Sequence, residues 1–199
     1  MDLPTLFQTL IYVISSSLIY PVLILLNLLV VVMVIYAGTL TAEWVGRGRR
    51  SIFDPVDLGR IITSSDSEKY LSPQPARYVA ELNKATQSGR RFSGAEVENL
   101  LRHRVERLLL SIDRLKILVR IGPGLGLMGT LIPMGTGLAS LGNGEMETLA
   151  SNLVVAFTTT VVGLAIGLLS YVFLTLKQRW VEADIRLMEA ATDIIMGEK

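Results

Sequence analysis

The chain alternates between stretches that hold no charge at all and stretches crowded with it. Three uncharged runs stand out: Leu3–Ala42, Ile121–Gly144 and Thr148–Leu176. A helix needs about 20 apolar residues to cross a bilayer, so each run is long enough for a span. The first is too long for one. Pro21 and the Ser15–Ser17 run suggest a break, which predicts a short interfacial helix over Leu3–Ile14 and a first span over Leu18–Leu40. A cleaved signal peptide fits less well. Residues 1–10 carry no basic side chain, and the apolar run far exceeds a signal core.

The polar stretches read as helices and loops. Residues 51–95 are rich in Ser, Asp, Gly and Pro, and "SSDSEKYLSPQP" reads as a loop. "ARYVAELNKATQSG" reads as a short helix stopped by Gly89. Ser93 with Glu96 forms a capping box that predicts the start of the next helix. Beyond it Val97, Leu101, Val105, Leu108, Ile112, Leu115 and Val119 recur at steps of three and four, an amphipathic stripe. Nothing stops that helix before the second uncharged run, so one long helix is expected to enter the membrane. Val181, Ile185, Met188 and Ile195 keep helical spacing past the third run, so the third helix should continue likewise. The fold class expected is all-α, an integral membrane protein with three transmembrane helices. Its segments are 1–17 (interfacial helix), 18–42 (span one), 43–114 (polar helical segment), 115–142 (span two), 143–148 (turn), 149–176 (span three) and 177–199 (helical tail).

Charge placement adds an orientation. All 19 Lys and Arg fall between Glu43 and Arg120 or between Lys177 and Lys199. The positive-inside rule then puts the N-terminus and the Leu141–Glu147 turn outside, and residues 43–120 and the tail in the cytoplasm. Arg47-Gly-Arg49-Arg50, just past the first span, reads as a topology anchor beside membrane lipids rather than a specific lipid site. Composition supports a membrane protein, with a mean hydropathy of +0.48. With no cysteine, disulfides and thiolate metal sites are excluded, and the lone His103 has no partners for a zinc site. His103 and its charged neighbours read as a solvated helix face. No nucleophile–base or metal constellation is visible, so no enzyme, no cofactor and no nucleic-acid partner is expected.

Gly124, Gly126 and Gly129 spell the dinucleotide-binding fingerprint. That loop requires a strand before it and a helix after it. Here a charged amphipathic helix precedes it and an uncharged membrane run follows, so nucleotide binding is not expected. Small residues at helical spacing explain the glycines better. Gly122, Gly126, Thr130, Pro133 and Gly137 fall on one face of span two. Asn152, Ala156, Thr160, Gly163, Gly167 and Ser170 do the same on span three. Span one has no such stripe. It is Leu/Val/Ile-rich on every face, with Asn27 its one strongly polar side chain, and suits a lipid-facing position. Close helix packing and the lining of a pore account for the stripes equally well.

"GPGLGLMGTLIPM" followed, after a short turn, by "AFTTTVVGLAIGL" resembles the MotA/TolQ/ExbB proton-channel family. The resemblance implies a homopentameric stator in the plasma (inner) membrane, around a dimer of single-span ExbD/TolR/MotB-like partners. The partner's span would supply an Asp, and proton flow would drive mechanical work, with Na⁺ as the alternative ion. By motif match Thr130 and Thr160 would face the ion path, with Thr159 and Asn152 beside them. Gly122, Gly126, Pro133, Gly137, Ala156, Gly163 and Gly167 would line the pore or pack it, and Pro123 and Pro133 would shape span two. A non-conducting scaffold is the competing reading. Val155 stands where many TolQ and ExbB members carry Glu, which leaves the subfamily open.

Overall fold

A computed structural model describes residues 3–49, 58–63, 70–87 and 94–197. The described residues form six helices: α1 (Leu3–Ser17), α2 (Ile19–Gly48), α3 (Leu58–Thr63), α4 (Pro73–Gln87), α5 (Gly94–Leu141) and α6 (Met146–Gly197). There is no strand among them. Three helical stretches are long and apolar enough to cross a membrane: Thr9–Gly48, Gly94–Leu141 and Met146–Gly197.

The chain divides into two compact units, to both of which α2, α5 and α6 contribute. The first comprises Met1–Gly38 and Arg114–Phe173. In it Leu26 and Met33 of α2 bury one narrow edge against Ile166 of α6, flanked by Leu125, Val162 and Phe173. Ser170 is buried and its hydroxyl donates to the Met33 sulfur (3.3 Å). Val22 is buried on the same edge, whereas Tyr20, Ile24, Val34 and Ile35 are exposed, as parts of an all-round apolar helix against lipid would be. Asn27 donates to its own Leu23 carbonyl (2.9 Å) and so needs no partner from another helix.

The break expected near Pro21 is slight. Only Leu18 separates α1 from α2, and the ladder runs on through it, with Leu18 N–H donating to Ile14 O (3.2 Å) and Val22 N–H to Leu18 O (3.1 Å). Pro21 falls in the first turn of α2, where a missing N–H costs least.

The α5–α6 connection is a tight turn closed by Asn143 N–H to Ser140 O (3.0 Å) and Gly144 N–H to Leu141 O (3.0 Å). Gly144 takes φ +82°, the left-handed cap that glycine adopts without a Cβ penalty.

The second unit comprises Thr39–Asp113 and Leu174–Lys199. Here the stripe expected on α5 is a core face. Val97 and Ile112 are buried, and Leu101, Val105 and Leu108 pack on Tyr78, Leu82 and Met188. The tail positions Val181 and Met188 are buried as their spacing predicted. Within residues 51–95 the structure adds one helix and moves the edge of the loop expected over "SSDSEKYLSPQP". Ile61 and Ile62 form α3 and pack on Leu71, Val79 and Ala191. The "PQP" placed in the loop is instead the first turn of α4, since proline fits helix starts. Arg50, the rest of "SSDSEK", the Gly89 stop and the Ser93 end of the capping box lie outside the described residues.

Candidate functional site

The glycine and threonine positions of spans two and three meet along one seam in the first unit. On α6 Gly163 lies so near α5 that a Cβ built on it would stand 2.6 Å from Gly126 Cα and 2.8 Å from the Gly122 carbonyl oxygen. A Cβ on Gly167 would strike the Pro123 ring, and one on Gly137 would come within 3.3 Å of the Asn152 side chain. Small residues are what allow two membrane helices to approach to backbone contact. The glycines of both stripes therefore pack on the opposite helix within one chain. The wall of the seam is buried: Ala156 is 0% exposed, and Gly122, Gly126, Pro133, Gly137, Gly163 and Gly167 are all buried with it. Pro123 has no N–H to give the Val119 carbonyl one turn back, so the helix is weakened where it meets Gly167.

The glycine fingerprint is resolved by the same geometry. Gly124, Gly126 and Gly129 lie inside the unbroken helix α5, with no strand before them and no loop to cradle a phosphate. Gly126 and Gly129 face the seam, whereas Gly124 faces open space.

Hydroxyls occupy the seam at defined points. Thr130 on α5 and Thr160 on α6 stand 3.1 Å apart, oxygen to oxygen, and both are half-buried. Each also donates within its own helix, Thr130 to Gly126 O (3.0 Å) and Thr160 to Ala156 O (3.1 Å). A hydroxyl has one proton and two lone pairs, so neither threonine can make both bonds as donor at once. The pair can therefore exchange donor and acceptor roles without moving a heavy atom. Thr159 is 5% exposed and sits under Gly129, where a Cβ would come within 2.7 Å of its side chain. Its hydroxyl is committed to the Val155 (3.0 Å) and Ala156 (2.9 Å) carbonyls. Asn152 Nδ2 donates to Thr136 Oγ1 (3.4 Å), which extends the polar contacts along the seam. Thr136 was not singled out from sequence, although it lies one position before Gly137 and six after Thr130.

A model of the MotA/TolQ/ExbB proton channel family matches residues 75–190, more than half of the chain. The chain belongs to this family. No curated protein and no solved structure matches it. The family match contains the whole α5–α6 seam and leaves α1, α2 and α3 outside.

The second unit of this proton-channel family member holds a cluster that sequence reasoning missed. Asp184 is 2% exposed, and Arg47 grips it with both terminal nitrogens (3.1 and 2.7 Å). Ser72 donates its hydroxyl to the same carboxylate. Glu43 accepts from Arg47 (3.1 Å) and from Lys177. The Arg47 guanidinium also lies 5.2 Å from the Trp180 ring centroid. Both Glu43 and Arg47 lie past the uncharged stretch of the first span. Burial opposes ionisation of Glu43, yet Lys177 and Arg47 outweigh it and hold its carboxyl below the usual range. Burial likewise opposes the charge on Arg47, and Asp184 and Glu43 raise its pKa above the ordinary value. Arg47, read from sequence as a topology anchor, is thus also paired with a buried carboxylate. The available signal was Asp184 itself, a carboxylate three residues after Val181 and four before Met188, in a stripe otherwise apolar. His103 is on an exposed face, as expected, and accepts from Arg107 (2.9 Å).

Proposed function

We propose that this protein is a stator-type subunit that couples proton flow across the membrane to mechanical work. Family membership and the Thr130–Thr160 hydroxyl pair support this reading. A proton relay inside a bilayer ordinarily needs an ionisable group, and the three uncharged stretches contain no Asp, Glu, His, Lys or Arg. The carboxylate would come from an Asp in a single-span ExbD/TolR/MotB-like partner, two copies within a pentamer of this chain. A charge at mid-membrane costs about 2.5–3.5 kcal/mol on insertion scales. Hydroxyls that can switch between donating and accepting would lower that cost for both protonation states of the partner carboxyl. Thr130 and Thr160 are assigned this role, with Asn152 and Thr136 as a further polar step. Thr159 acts at one remove by holding the backbone at Gly129.

The transported ion is taken as H⁺, with Na⁺ as the alternative. The charge placement supports an N-terminus outside and a cytoplasmic C-terminus, and family membership supports the inner membrane. The scaffold reading is favoured by a specific observation, the consumption of both glycine stripes in close packing. On that reading the hydroxyl pair serves only as a hydrogen bond between the two helices.

The test is proton flux into liposomes that hold this chain with its single-span partner, against liposomes holding the chain alone. Flux only with the partner is expected, and its loss when the partner's Asp is replaced by Asn. A complex that assembles and carries no flux in either case would establish the scaffold instead.

A further inference from the structure

We propose that the second unit carries a binding site for a phosphate group. A cavity of about 420 Å³ opens there, within the size range of small-ligand sites. Five cationic side chains line it: Arg47, Arg77, Arg104, Arg107 and Lys177. Only two carboxylates do, Glu43 and Asp184. Those two are already committed to Arg47 and Lys177. Arg104 is paired with Glu81 (2.6 Å). The surplus therefore resides on Arg77 and Arg107, neither of which meets a carboxylate among the described residues. On Arg47, one of the lining residues, Nε is buried and has no acceptor. A buried donor without an acceptor is costly, so an anionic oxygen brought within reach of Arg47 would offset that cost.

The chemistry of the donors selects the ligand class. Guanidinium groups present planar arrays of N–H that match the oxygens of a phosphate better than those of a neutral solute. The ion pairs fix the cavity wall before any ligand arrives, since Asp184 holds Arg47 from two sides and Ser72 holds Asp184. Arg77 and Arg107 are exposed, so Arg77 can turn inward at the cost of side-chain entropy, and Arg107 at that cost and its hydrogen bond to His103. A soluble phosphate compound and the phosphate of an anionic lipid share this chemistry.

Binding is tested on the full chain in nanodiscs of neutral phosphatidylcholine, titrated with inorganic pyrophosphate in a calorimeter. A second arm keeps the chain in phosphatidylcholine vesicles doped with phosphatidylglycerol and counts retained lipid by native mass spectrometry. Saturable pyrophosphate binding, retained phosphatidylglycerol, or both are expected. The first assigns the site to a soluble phosphate and the second to a lipid headgroup. In R77Q or R107Q the bound signal should weaken about tenfold, the size of one lost charge-assisted hydrogen bond. R77K should keep most of it. Arg77 is exposed and makes no ion pair among the described residues, so its replacement should leave the fold intact, which circular dichroism checks. Absence of saturable binding in both arms would overturn the proposal. So would binding of equal strength in wild type, R77Q and R107Q.

Discussion

The two units use the same three long helices and hold them by different physics. In the first, α5 and α6 touch through missing side chains. Gly163 lies against Gly126, Gly167 against Pro123, and polar atoms are satisfied inside each helix or across the seam. In the second, contact is made by long side chains. Leu82, Val97 and Met188 fill an apolar core, and Arg47, Asp184, Glu43 and Lys177 form an ion-pair cluster beside it. With the proposed topology, the contrast follows from solvent. Lipid gives no hydrophobic reason for helices to associate, so packing and hydrogen bonds must do so. In water, burial of large apolar side chains drives association, and exposed charge is tolerated at the rim.

The largest effect should come from breaking the ion-pair cluster. Asp184→Ala leaves Arg47 half-buried without its main counter-ion and Ser72 without its acceptor. Loss of one partner of a fully buried pair costs about 3–5 kcal/mol, and the partial exposure of Arg47 brings the expectation to roughly 2–3 kcal/mol. Thermal unfolding in detergent should show a marked drop. An unchanged midpoint would mean that the cluster contributes nothing to the second unit.

Next comes the seam. Gly163→Ala forces a methyl into the backbone of α5, and overpacking of this kind costs about 1–3 kcal/mol. Gly124→Ala, on the same family of glycines but facing open space, should be neutral or stabilising by up to about 1 kcal/mol through helix propensity. Equal destabilisation by the two would erase the distinction between seam and surface glycines.

The smallest effect is a pH dependence of the second unit. Burial raises the pKa of Tyr78 above its ordinary 10.0, with the Thr192 hydrogen bond opposing and the Glu81 charge adding. The folded state thus favours the neutral phenol. Its contribution is complete below pH 10 and is lost as the pH rises through the folded pKa. Tyr78→Phe should flatten this alkaline decline, and a profile identical to wild type would contradict the assignment.

How far the sequence carried the reading depended on the kind of contact. The spans, the α5 stripe and the place of Gly122, Gly126, Gly163 and Gly167 on contact faces were legible, because periodicity alone determines which residues share a face. Which surface a stripe meets is not encoded in its period. The period leaves packing and pore-lining level, and the approach of Gly163 to Gly126 shows only that the glycines pack. Ile61 and Ile62 were hidden in a run of loop-forming residues, since six residues are too few to show a period. Arg47 and Asp184 are 137 positions apart, and nothing local in either neighbourhood pairs them.

The central claim is that the glycines hold the seam while the hydroxyls serve conduction. The measurement that separates these is proton flux per assembled complex in liposomes containing the partner, for wild type and for Thr130→Val/Thr160→Val. Valine keeps the volume and removes both hydroxyls. The electrical drive is about 2.3 kcal/mol per charge per 100 mV, and one hydrogen bond to a charged group is worth about 1.5–3 kcal/mol. The account predicts complex yield near that of wild type and flux reduced by at least about tenfold. Wild-type flux from the double variant would contradict it, and so would a flux that falls only in proportion to lost complex.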